Sequence, residues 1–264
     1  MTDINSPRPL DSGPMAPSDA RREPWKFWGT CLWTAAAILV WAAVQLLTIL
    51  VLLFWFEFGL DLSDAEVEIF ASHALAASIV SVVAAPAEIA VIWLAVRSKR
   101  WHFADYLALV WPKRGDFLLG LFCIVVLLPL ADLTSWLAGE PIVPEFVRNL
   151  YVTARESDSI WLLAIALVGA APVAEELVFR GFMFRGLAAS RAGVAGAILI
   201  PSAVWAMMHI QYSAFYLLHI FIIGLILGWL RWRSGSATLT LILHAIINLT
   251  ALVQVAFIVE RMSG

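Results

Sequence analysis

Three short stretches carry side chains able to do chemistry. Ala174-Glu175-Glu176-Leu177-Val178-Phe179-Arg180 places adjacent carboxylates ahead of a guanidinium. Trp205-Ala206-Met207-Met208-His209 offers an imidazole, and His244-Ala245-Ile246-Ile247-Asn248 a second imidazole with an amide. On a helix of 3.6 residues per turn, Glu176 and Arg180 fall about 40° apart on one face and can form an ion pair. Glu175 points about 100° away from Glu176, outside that pairing, and a carboxylate so placed is suited to work as a general base. His244 and Asn248, four residues apart, stack on a single helical face. The set suits water activation: Glu175 takes a proton from water with help from His209, while His244 and Asn248 donate hydrogen bonds to the oxyanion of a tetrahedral intermediate. A divalent metal such as zinc stays open as a cofactor, held by Glu175, His209 and His244. Asn248 is a poor zinc ligand, and no H-E-x-x-H is present. No serine or cysteine stands at a defensible nucleophile position. Cys31 and Cys123 lie inside apolar runs, where they act as small hydrophobes.

The elements that position these residues follow from composition. Of 264 residues, 62% are hydrophobic and 14% charged, with 13 Trp and a mean hydropathy of +0.87. A soluble domain carries about 25% charged residues, so a soluble enzyme, a nucleic-acid binder and a disordered protein are all excluded. Apolar runs at roughly 27–57, 74–96, 117–138, 160–184, 193–210, 214–231 and 237–259 are about the length a bilayer-spanning helix needs. The expected fold is all-α: a polytopic membrane protein of about seven transmembrane helices. Residues 1–26, rich in proline and charge, read as a disordered cytoplasmic tail. Residues 27–158 supply N-terminal membrane helices and 159–260 a catalytic membrane core, while the mixed stretch from Val143 to Tyr151 suggests an interfacial amphipathic helix. With the N-terminus inside, all but Arg148, Arg155 and Arg261 of the 17 basic residues fall on the cytoplasmic side. The first external loop then carries Asp61, Asp64, Glu66 and Glu68 without a base. The expected location is a multi-pass integral membrane protein, in the inner membrane if the cell is bacterial.

Charged groups inside such spans cost about 2.5–3.5 kcal/mol each and need a partner, a cavity or a task. Glu175 lies 16 residues before Arg191, in the turn between the fourth and fifth spans, and His209 lies 18 after it. An antiparallel pair therefore brings both to a similar depth, roughly 24–27 Å from the turn at about 1.5 Å per residue. His219 has no second polar group at helical spacing and reads as a packing histidine. Asp132, near a helix end, reads as a cap or a snorkelling group. Ala84-Ala85-Pro86-Ala87-Glu88 faintly echoes the stretch around Pro172 and Glu175, an echo that reads as chance.

Glu-Glu-x-x-x-Arg in one membrane helix, an aromatic-x-x-x-His in the next and His-x-x-x-Asn two spans later resemble the CPBP group of intramembrane proteases. That group, also called the CAAX protease and bacteriocin-processing (Abi) group, includes the type II CAAX prenyl endopeptidases. The resemblance covers roughly 160–250, including the stretch from Gly224 to Gly228. It implies an endopeptidase site in a cavity within the bilayer, with Glu175 as base, His209 beside it, and His244 and Asn248 supporting the oxyanion. Glu176 belongs to the catalytic set and Arg180 supports it. The group has been described both as metalloproteases and as metal-free, glutamate-dependent enzymes. The usual second motif is Phe-x-x-x-His; here Trp205 stands in the aromatic position, which keeps a packing surface. A literal Phe-x-x-x-His occurs at Phe215 to His219, so His219 is the alternative to His209. The implied partners are a membrane-associated peptide or protein substrate and the lipid bilayer, with no nucleic acid. Two rival classes use the same residues. One is a proton-coupled transporter, disfavoured by the lack of an inverted repeat in spans four to seven. The other is a catalytically silent membrane partner or immunity protein of the same fold.

Overall fold

The structure is a computed structural model that describes residues 23–55 and 73–263. Most of the tail assigned to 1–26, and the acidic loop with Asp61, Asp64, Glu66 and Glu68, lie outside the described residues. Helices are α1 (Phe27–Trp55), α2 (Ala74–Ser98), α3 (Phe103–Leu107), α4 (Arg114–Ala138) and α5 (Glu145–Glu156), followed by α6 (Ile160–Ala188), α7 (Gly193–Met207), α8 (Ala214–Ser234) and α9 (Ala237–Ser263). No strand occurs among the described residues. α1, α2, α4, α6, α8 and α9 are long and apolar enough to cross a membrane, and α7 is a shorter apolar helix. The seven apolar runs thus each become a helix, with α7 ending at Met207 so that His209 lies in the turn beyond it.

α5 is the amphipathic helix foreshadowed near Val143. Leu150, Tyr151 and Ala154 are buried at helical spacing while Glu145, Arg148 and Arg155 stay exposed. α1 packs along α2, and Trp25 fixes its start: the indole N–H donates to the Ala95 carbonyl at 2.8 Å and the Trp25 backbone N–H to the Tyr106 hydroxyl at 3.1 Å. The short α3, not evident in the apolar pattern, seats Tyr106 on Phe182 of α6 with ring centroids 5.5 Å apart. The Asp132 carboxylate accepts the Gln254 side-chain amide of α9 at 2.9 Å.

α6 holds the largest departure from regular geometry. Its segments Ile165–Ala170 and Leu177–Met183 are π-helical. A π turn pairs each carbonyl with the amide five residues on, which for Leu167 is Pro172, and proline has no N–H. The Asn248 side-chain amide fills the gap, donating to the Leu167 carbonyl at 2.7 Å. In the second π segment the Arg231 Nε of α8 donates to the Arg180 carbonyl at 2.9 Å. Both widened turns are therefore tied to neighbouring helices by side chains.

α7 and α8 approach closely because Gly224 and Gly228 form a G-x-x-x-G face. A Cβ on Gly224 would lie 2.9 Å from Ser202 Cβ and 3.2 Å from its Cα, and one on Gly228 would lie 3.4 Å from the Ile198 backbone. Gly224→Val should therefore force α7 and α8 apart and destabilise the fold by about 1–3 kcal/mol. Thermal unfolding of the purified variant in detergent measures this, and an unchanged Tm would contradict the close approach.

Candidate active site

The centre of the molecule is a buried ionic cluster. Arg180 Nη1 donates to Glu176 Oε1 at 2.9 Å, and His244 Nδ1 lies 3.0 Å from the same oxygen. Arg180 and Glu176 are 1% and 0% exposed, so the pair is wholly withdrawn from lipid and water. A carboxylate only accepts, so His244 carries its hydrogen on Nδ1. Arg180 also donates to the Gly224 carbonyl at 3.4 Å and lies 4.5 Å over the Trp205 ring. Each buried charge meets an opposite charge or a polar partner, as low-dielectric surroundings demand.

Glu175 stands next to this cluster and differs from Glu176 in what it meets. Its side chain is 23% exposed, its Oε2 accepts the Trp205 indole N–H at 2.5 Å, and the same oxygen lies 3.8 Å from His244 Nε2. The last separation is an electrostatic contact rather than a hydrogen bond. Glu175 lines a cavity of about 460 Å³, and Trp205 and His209 line it too. His209 Nδ1 is 2.8 Å from the Trp205 carbonyl, which fixes a hydrogen on Nδ1, so that in the neutral ring Nε2 is the acceptor. The His209 ring meets Trp205 edge-on at 5.3 Å and stacks on Tyr212 at 6.1 Å. Burial, then the neighbouring Glu175 carboxylate, push the Tyr212 phenol in the α7–α8 loop up to about 12.

The structure brings Glu175, Glu176, Arg180, Trp205 and His244 into one cluster and sets His209 on the same cavity as Glu175. Asn248, one turn beyond His244 on α9, has committed one of its two amide hydrogens to Leu167. His219 is elsewhere: its Nε2 lies 2.8 Å from Thr134 Oγ1 of α4 and its Nδ1 3.1 Å from the Phe215 carbonyl. Of the two histidines that follow an aromatic residue by four, His209 is the one that shares a cavity with Glu175. The zinc set of Glu175, His209 and His244 does not converge. Among the described residues no three His, Cys, Asp or Glu side chains group as metal ligands.

Two residues at the site carried no functional reading in the sequence. Trp205, read as a packing surface, touches Glu175, Arg180, His209 and His244, the last edge-on at 5.2 Å. The clue was its departure from phenylalanine, since only tryptophan adds an N–H. Glu88, read as a chance echo, lines the cavity from α2.

Residues 157–250 match the family model of the Rce1-like type II CAAX prenyl endopeptidases, in agreement with the motifs. No curated protein and no solved structure matches the chain.

The ionic cluster makes a prediction about stability. Arg180→Met leaves the buried Glu176 carboxylate without its guanidinium and should cost about 3–5 kcal/mol, whereas Arg180→Met combined with Glu176→Gln should recover part of that loss. Thermal unfolding and the yield of folded protein in detergent report both effects. A single variant as stable as wild type would contradict the pairing.

Proposed function

We propose that the chain is an intramembrane endopeptidase that hydrolyses a peptide bond of a membrane-associated peptide or protein, of the CAAX-processing type, with water activated by Glu175. The observation that carries this reading is the contrast between two adjacent carboxylates. Glu176 is locked to Arg180 and His244 and has no exposed surface, while Glu175 is anchored by one indole N–H at the wall of a cavity. The matched family segment, residues 157–250, spans all of these residues and adds to it.

In the proposed reaction a water in the cavity gives a proton to Glu175 as its oxygen attacks the scissile carbonyl. The Nε2 lone pair of His209 accepts the water's other hydrogen and orients it. The tetrahedral oxyanion is met by His244 in its imidazolium form, which donates from Nε2 while Nδ1–H stays on Glu176. Asn248 contributes its second amide hydrogen, the first holding it against Leu167. Glu175 returns its proton to the leaving amine as the C–N bond breaks, and the new carboxylic acid gives its remaining proton to the Nε2 of His209, so the products are a carboxylate and an amine. Arg180 and Glu176 position His244 and Trp205. No step is routed through a metal, since the side chains do not form a ligand set for one.

Cleavage of a membrane-tethered reporter by purified protein in detergent tests this. Glu175→Gln should lower kcat/KM by roughly a hundred- to ten-thousand-fold with an unchanged Tm, and wild-type cleavage should survive a strong zinc chelator. Loss of wild-type cleavage in the chelator would overturn the metal-free mechanism, and full activity in Glu175→Gln would overturn the role of this residue. Trp205→Phe keeps the ring and removes the N–H; it should lower kcat about tenfold, in line with a lost hydrogen bond to a charged group, and leave KM unchanged. A variant with wild-type kcat would reduce Trp205 to packing.

A further inference from the structure

The cavity that holds Glu175 has a second acid on its wall. Glu88 of α2 lines it, two residues after Pro86, and is 3% exposed. It has no hydrogen-bond or ion-pair partner among the described residues. Besides Glu175, the polar neighbours on the same lining are Gln45 of α1, Ser81 of α2, Gln211 and His209, whose Nδ1 is held by the Trp205 carbonyl, and no lysine or arginine lines it. The guanidinium of the cluster, Arg180, is engaged by Glu176, the Gly224 carbonyl and the Trp205 ring. The rest of the wall is apolar, with Trp41, Ile49, Val80 and Phe179 among its residues.

A carboxyl group so buried is costly without a partner. Low-dielectric walls bearing one sign of charge also concentrate the field on whatever enters. Any wholly apolar occupant would strip Glu88 of remaining water and return nothing. An occupant with a positive donor would satisfy it by a charge-assisted hydrogen bond. A resident inorganic cation is not favoured, because no three acidic, histidine or cysteine side chains gather there. The donor must then come with the ligand.

We propose that the α2 wall of this cavity is a subsite for a cationic side chain of the bound peptide, an alkylammonium or a guanidinium, and that Glu88 binds it. The inference rests on reading the cavity as the place where a peptide is held. It assigns the N-terminal helices a function that the matched segment 157–250 leaves open: α1 and α2 supply the specificity wall, and α6, α7 and α9 supply the chemistry.

The test is equilibrium binding of N-acylated tripeptide amides, Leu-X-Leu with X lysine, arginine or norleucine, to full-length Glu175→Gln protein in detergent. Tryptophan fluorescence is the readout, since Trp41 and Trp205 line the cavity. In that background hydrolysis is suppressed and Glu88 is the remaining acid of the pair. The lysine or arginine peptide should bind about tenfold or more tighter than the norleucine peptide, and the ratio should fall to about one when Glu88→Gln is added. A preference for only one of the two cations identifies which group the subsite takes. Equal affinities for all three peptides, or a preference that survives Glu88→Gln, would overturn the proposal. Where Glu88→Gln fails to fold, the ratio between lysine and norleucine peptides on the Glu175→Gln protein decides alone. Cationic binding by a protein whose wild type cleaves nothing would overturn the endopeptidase reading and leave the subsite standing.

Discussion

An Arg180–Glu176–His244 cluster inside a bundle of apolar helices constrains everything around it. Charges withdrawn this far from water persist only when opposite charges and polar groups compensate them; here the contacts converge on Glu176 Oε1, and Oε2 has no hydrogen-bond partner among the described residues. The partners come from three helices: Glu176 and Arg180 from α6, His244 from α9 and the Gly224 carbonyl from α8. Trp205 of α7 covers the guanidinium face. The cluster therefore fixes the mutual placement of the four helices, and it sets the imidazole of His244 beside Glu175. Leucine or isoleucine in its place could pack the same volume but could not orient a histidine.

Backbone irregularity serves the same end. α6 widens twice into π turns, on either side of the Pro172 to Glu176 segment that presents both carboxylates. Such turns release carbonyls that must be satisfied inside protein rather than in lipid. Asn248 takes the Leu167 carbonyl and Arg231 the Arg180 carbonyl, so α9 and α8 each hold one end of the segment. Asn248 thus links the irregular backbone of α6 to the same α9 face that carries His244.

The helical architecture was legible because apolar length alone reports a bilayer span, and α5 because its apolar residues recur at helical spacing. The pairing of Glu176 with Arg180 was legible because it is local, four residues apart on one helix. The distant partnerships were not. Nothing in a single chain states that Trp205 faces Glu175, that Asn248 answers a carbonyl left by Pro172, or that Glu88 of α2 shares a cavity with α6. Each depends on which helices are neighbours and how they are rotated. The two π turns were equally hidden, since their stabilising donors lie on other helices. Where the motifs left His209 and His219 open, geometry separated them: one shares the cavity with Glu175, the other bonds to Thr134.

Adjacent residues on one helix thus differ in setting, Glu176 held within the cluster and Glu175 facing the cavity. The central claim is that Glu175 acts on water and forms no bond to the substrate. Single-turnover cleavage of a peptide by the wild-type protein in ¹⁸O-enriched water tests it most directly, with mass spectrometry of the new peptide carboxylate and of the Glu175-containing fragment. The account predicts one heavy oxygen in the product carboxylate from the first turnover and none on Glu175. A first-turnover product without the label, or label on the Glu175 side chain, would contradict it.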